Sequence, residues 1–143
     1  MAIHYYDQEV RSGLQQKRKL TAFLHQLIKE KLAIATSTVA YIFCNDEALL
    51  EKNVQFLNHD TLTDIITFDL SETDRVLIAE IYISVDRIKE NAAAFGVDYQ
   101  TELHRVIFHG MLHLCGYKDK NKADKTLMTE MENQCLQQYF ARI

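Results

Sequence analysis

The sequence predicts an α+β fold of mixed α/β layers. A small, mostly four-stranded sheet packs with about five helices, and one helix carrying three histidines, the candidate metal-binding helix, is buried. Three observations predict it. Four short runs (2–6, 37–44, 63–70 and 76–84) are rich in β-branched and aromatic residues. The segments between and after them repeat apolar residues at helical spacing. The third and fourth runs are separated only by the polar stretch 71–75, which suits an antiparallel hairpin.

In chain order, AIHYY opens a short strand. Leu20, Phe23, Leu24, Leu27 and Ile28 then mark one face of an amphipathic helix over about 15–32. STVAYIFC reads as a buried strand. The segment NDEALLEKNVQFL follows as a helix, with Asn45 or Asp46 as cap and Glu47 in its first turn. After the hairpin, SVDRIKENAAAF forms a helix stopped by Gly96. Asp98 caps the next helix, with Glu102 in its first turn. Leu103, Val106, Ile107, Phe108, Met111, Leu112 and Leu114 cover most of its circumference, so it is buried, and Gly116 ends it. Leu127, Met131, Cys135 and Tyr139 step by four through a last amphipathic helix.

With 143 residues, no proline, four glycines and no linker or repeat, the chain reads as one domain over 1–143. Apolar residues make up 48% and charged residues 25%, an ordinary globular balance. No apolar run is long enough to span a membrane, and the N-terminus shows no signal-peptide pattern. Cys44, Cys115 and Cys135 are odd in number, lack C-x-x-C spacing and lie in apolar stretches, which suits reduced core thiols in a cytoplasmic protein. A net charge of −4 excludes a general nucleic-acid coat but not a local basic patch. QKRK at 16–19 and KDKNKADK at 118–125 are the candidates.

The stretch HGMLHLCGYKD, residues 109–119, carries the chemistry. Helical residues four apart lie about 40° apart around the axis, so His109 and His113 share one stripe and can share one ion. Zinc accepts such nitrogen donors together with a carboxylate in tetrahedral array. Cys115 points about 200° away from His113, and His104 lies about 140° off the stripe. Gly116 supplies a left-handed turn that returns the chain, and three residues later Asp119 reaches the same cation. The predicted site is therefore one Zn²⁺ on His109, His113 and Asp119, with Lys118 and Lys120 as competing partners for the aspartate.

At these residues the sequence resembles the YbeY family of bacterial rRNA-maturation endoribonucleases. That family's signature reads histidine, glycine, any residue, leucine, histidine, leucine, any residue, glycine, tyrosine, aspartate, histidine. HGMLHLCGY follows it through Tyr117. Lys118 then stands at the signature's aspartate, and Asp119 at its third histidine. A second block, LTDIITF, keeps Thr63, Asp64 and Phe68 of the family pattern. Ala79-Glu80-Ile81 stands where the family has glycine-aspartate before isoleucine, and Leu57 where it commonly has arginine. A phosphate-holding role of that arginine is either lost here or moved, to His59 or to Lys118 and Lys120. The resemblance implies a zinc-dependent, single-strand-specific endoribonuclease in rRNA maturation and ribosome quality control. Its partners would be an rRNA precursor and the small ribosomal subunit or its assembly factors.

Zinc with an open position brings the pKa of its water to roughly 7, suited to attack on a carbonyl or a phosphodiester. In zinc peptidases of the H-E-x-x-H type a glutamate follows the first histidine as general base. Gly110 occupies that place here and moves no proton, which counts against a peptidase or amidase. A non-catalytic ribosome-assembly factor with a structural metal is the remaining alternative. The general acid and base stay open. Glu80 is either an exposed edge residue or a group near the metal, and Asp64 is read as a structural cap more readily than as a site residue. Whether water or an RNA 2′-hydroxyl attacks is not legible.

Overall fold

A computed structural model describes residues 2–34, 36–57 and 63–141. His59 lies outside the described residues, as does the side chain of Leu57. The elements run β1 (Ala2–Asp7), α1 (Lys17–Lys31), β2 (Thr36–Cys44), α2 (Asp46–Leu57), β3 (Ile65–Asp69), β4 (Val76–Ser84), α3 (Val85–Phe95), α4 (Tyr99–Leu114) and α5 (Lys122–Phe140). This is the predicted α+β layering, with four strands and five helices among the described residues.

The sheet order is β1-β2-β4-β3. β1, β2 and β4 are parallel, and β3 returns antiparallel on β4 as the predicted hairpin, with Ile66 opposite Tyr82. Ser71 closes the connection, its hydroxyl accepting from the Ile78 amide at 2.9 Å. Strand alternation then sorts the two faces. Val39, Tyr41 and Phe43 of β2 and Leu77, Ala79, Ile81 and Ile83 of β4 are buried under helices α1, α3, α4 and α5. The other face is covered near β3 and β4 by α2, where Cys44, Leu49 and Ile66 form a smaller cluster with Phe68 and Tyr82. Glu80 belongs to that second face. Its strand is internal to the sheet and its carboxylate accepts from the Tyr82 hydroxyl at 3.2 Å. It is thus neither an edge residue nor a neighbour of the histidine helix.

α4 lies across the buried face. Asp98 caps it by accepting from the Thr101 amide at 2.7 Å. The fully buried Tyr41 donates its hydroxyl to the Ile107 carbonyl at 3.0 Å, tying the helix backbone to β2. The helix ends at Gly116, whose φ of +104° favours glycine. The Tyr117 amide reaches the Leu112 carbonyl at 3.1 Å and the Gly116 amide reaches His113 at 3.0 Å, the two bonds of a Schellman stop. Gly96 stops α3 in the same way, at φ +67°.

α5 differs from expectation. Its buried stripe is Met128, Glu132, Cys135, Leu136 and Tyr139, while Leu127 is exposed. Steps of four advance the face by about 40° each, so a run of four such residues sweeps about 120° and cannot stay on one face. All three cysteines are free. Cys44 and Cys135 are buried and Cys115 is half-buried.

His104 fills the far side of α4, stacked on Tyr139 and edge-on to Phe140, with Nδ1 bonded to the Gln100 carbonyl at 2.7 Å. Burial lowers its pKa, outweighing the raising effect of the Gln100 bond. The unfolded chain therefore binds the proton more readily, and stability is lost as pH falls from the ordinary imidazole value through the lowered folded one. Urea midpoints are expected to drop between about pH 7 and pH 5, and to drop less in His104→Phe.

Candidate active site

Along α4 the burial is broken by one stripe. Arg105 and His109 are half-buried and His113 is exposed, each four residues from the last, whereas Val106, Ile107, Phe108, Met111 and Leu112 are buried. The stripe floors a cleft of about 860 Å³. Asp64 and Ile65 wall one side, Lys125 and Glu132 of α5 another, and Asp119 hangs over it from the chain beyond Gly116. Phe95, at the end of α3, stands exposed at the rim.

His109 is held from both ring nitrogens. Nδ1 lies 2.7 Å from Glu132 Oε2, and Nε2 lies 3.5 Å from Asp119 Oδ2. Glu132 is itself clamped, its Oε1 2.9 Å from Arg105, which also donates to Asn133 at 2.6 Å. Among the described residues, four carboxylates (Asp64, Glu102, Asp119 and Glu132) share this cleft with two permanent cations, Arg105 and Lys125. The crowding shows in proton affinities. Burial pulls His109 down, but the Glu132 bond and the charges of Glu132, Asp119 and Asp64 outweigh it and raise its pKa. Burial raises Asp64, with Glu132 and Asp119 adding to it and His109 opposing. Burial also raises Glu102, with Arg105 opposing.

Of the three predicted ligands, the fold brings His109 and Asp119 to 3.5 Å, and His113 lines the same cleft. Asp119 lies beside His109, and among the described residues it forms no ion pair with Lys118 or Lys120. Among the described residues no three His, Cys, Asp or Glu side chains form a closed group ready for an ion. The residues nevertheless fit a cation in two respects. Among the described residues the cleft has two more negative than positive side chains when its histidines are neutral and its carboxylates ionised. A separation of 3.5 Å is also close to the roughly 3.4 Å edge between two donors held at about 2.1 Å by tetrahedral zinc.

Asp64 sits inside the cleft, contrary to its reading as a strand cap. Its backbone carbonyl does take the strand role, accepting from the Ser84 amide at 3.0 Å, while the residue lines the cleft near enough to His109 for their charges to act on each other. Glu132 and Arg105 were not foreseen. The one signal for Glu132 was a glutamate four residues from both Met128 and Leu136 on an apolar stripe. Of the basic run 118–125, Lys125 reaches the cleft, while Lys118 borders a separate pocket with Lys31 and Cys115. The glycine in the first turn of the motif also has a packing reason. A β-carbon on Gly110 would stand 2.9 Å from Ile65 Cδ1 and 3.1 Å from Ile81 Cγ2, so α4 rests on the sheet there.

The model of the family described as Endoribonuclease YbeY matches residues 3–140. A protein named Endoribonuclease YbeY from Bacteroides thetaiotaomicron is 44% identical over 136 residues, covering 95% of this chain and 98% of its own. Its namesake from Parabacteroides distasonis is 41% identical, covering 95% and 94%. The solution structure of a Thermotoga maritima protein superposes with a TM-score of 0.65 at 25% identity, covering 99% of this chain and 91% of that one. Fold, cleft and relatives define the class: the protein is an enzyme, a hydrolase. The chain belongs to the Endoribonuclease YbeY family.

Proposed function

We propose that the chain is a zinc-dependent, single-strand-specific endoribonuclease of rRNA maturation and ribosome quality control. It acts in the cytoplasm as one domain over 1–143, on an rRNA precursor at the small ribosomal subunit or with its assembly factors. Its relatives carry the endoribonuclease name, and no helix among the described residues is long and apolar enough to cross a membrane. One zinc ion is held by His109, His113 and Asp119. The observation that carries this reading is the pair His109 Nε2 and Asp119 Oδ2, 3.5 Å apart in a cleft with surplus negative charge. The exposed ring of His113 has the rotamer freedom to close the set.

A phosphodiester cannot approach four carboxylates unaided, and a cation resolves that repulsion. Zinc would supply a Lewis acid that polarises a phosphoryl oxygen and acidifies a water. Arg105 and Lys125 offer positive charge to a strand lying in the cleft. Asp64 and Glu102 line the same cleft as carboxylates whose proton affinity burial raises, which suits them to take up or pass on a proton during cleavage.

Peptidase chemistry is disfavoured by Gly110, whose missing side chain points at Ile65 and Ile81 and not into the cleft. The test is purified protein on single-stranded RNA, duplex RNA and casein, with and without chelator. Chelator-sensitive cleavage of single strands alone is the expected result. Cleavage of casein would favour the peptidase, and RNA cleavage that survives full metal removal would overturn the zinc role. A protein that needs zinc to fold but cuts neither substrate would be an assembly factor.

A further inference from the structure

A carboxylate 23 residues downstream of the first histidine controls how that histidine faces the cleft. We infer that Glu132 is a positioning residue: with Arg105 it fixes a proton on His109 Nδ1, so that the neutral ring is the Nδ1–H tautomer and Nε2, beside Asp119 on the cleft, is the nitrogen left to bind a cation. The inference deepens the zinc reading above and takes its ligand assignment from it.

The geometry forms a chain of three links. Arg105 on α4 donates to Glu132 Oε1 at 2.9 Å. The opposite oxygen, Oε2, faces His109 Nδ1 at 2.7 Å. A carboxylate accepts and does not donate, so Nδ1 is the protonated nitrogen and Nε2 carries the lone pair in the neutral ring. An isolated imidazole in water chooses its tautomer freely, whereas here a buried, doubly bonded glutamate makes the choice. The Glu132 carboxylate has little freedom of its own, because its side chain is only 10% exposed and each oxygen has a partner.

The arrangement also explains a charge inside the apolar stripe of α5. Glu132 sits between Met128 and Leu136, where a leucine would pack at no electrostatic cost. A purely structural α4–α5 tie is satisfied by the Arg105 half alone. The second oxygen, aimed at a histidine whose far nitrogen opens on the cleft, is what a role at the site adds. Carboxylates that hold a metal-binding imidazole in this way typically contribute 10- to 100-fold to metal affinity, a range of about that order.

The test reads the histidine directly. Nitrogen NMR of metal-free protein at about pH 9, where imidazole is neutral, should show His109 as Nδ1–H in the wild type. Glu132→Ala should shift it to a mixture or to Nε2–H, and zinc affinity from chelator competition should fall roughly 10- to 100-fold. Arg105→Met with Glu132→Met replaces the ion pair by apolar groups of similar volume, a change that usually preserves folding. It supplies the same comparison if the single variant does not fold. A His109 that is Nε2–H in the wild type, or a tautomer unchanged without the carboxylate, would overturn the inference. Wild-type protein that binds no zinc but shows the expected tautomers would sink the zinc reading and leave the positioning role standing.

Discussion

Gly110→Glu, which writes the peptidase motif H-E-x-x-H into α4, is expected to yield a badly destabilised protein with no peptidase activity. The β-carbon alone would lie 2.9 Å from Ile65 Cδ1 and 3.1 Å from Ile81 Cγ2. The first is the end of a flexible side chain and can give way. The second sits on a β-branched carbon of a central strand and cannot move far. Overpacking of this kind costs about 1–3 kcal/mol. The carboxylate would then lie between helix and sheet beside Ile65 and Ile81, which adds several kcal/mol, about as much as other unpaired buried charges cost. Replacing glycine within a helix returns only about 1 kcal/mol. The net loss of roughly 4 kcal/mol or more corresponds to a fall in Tm of about 10 °C or more for a chain of this size. Gly110→Ala is the control, because it makes the same β-carbon contacts without the buried charge, so that overpacking of about 1–3 kcal/mol less a helix gain of about 1 kcal/mol leaves a loss of about 0–2 kcal/mol. Thermal and urea denaturation of both variants check the prediction. A Gly110→Glu protein with wild-type stability would mean that α4 does not rest on the sheet at this point.

The same residue marks the boundary of what the sequence discloses. That a glycine inside an apolar helix is costly, and so has a packing or functional reason, is local knowledge. That the reason is Ile65 and Ile81 depends on how β3 and β4 pass beneath the helix. The stripe of α1 was legible because Leu20, Phe23, Leu24, Leu27 and Ile28 share one face at helical spacing, and all five are buried. The hairpin was legible from two alternating runs around a polar turn. The Gly116 stop was legible because a positive φ leaves few residue choices. Glu132 was not, because its partners His109 and Arg105 lie on another helix, 23 and 27 residues away. Asp64 was half legible: a sequence shows that it opens a strand, but not that its backbone serves the strand while the residue lines the cleft.

Asp119 is where this chain departs most from the signature it resembles, and substitutions there are expected to move activity furthest for the least structural change. The residue is exposed, follows a glycine turn and, among the described residues, touches the site only through His109, 3.5 Å away, so Asp119→Ala takes away its carboxylate without disturbing the core. Two histidines alone hold zinc poorly. Affinity in chelator competition should fall by roughly 10²-fold or more. Cleavage of single-stranded RNA should fall by about 10³-fold at limiting zinc, since several kcal/mol of transition-state charge stabilisation leave with the ion. Asp119→His separates donor from charge. Imidazole supplies a zinc ligand but no negative charge, so affinity and cleavage should recover if coordination is the role of this position. If Asp119 acts only as a counter-charge to a protonated His109, Asp119→His should behave like Asp119→Ala, and Asp119→Glu should be the variant that rescues. Wild-type rates and zinc affinity in Asp119→Ala would remove the third ligand, and with it the single-ion site that the cleft is argued to build.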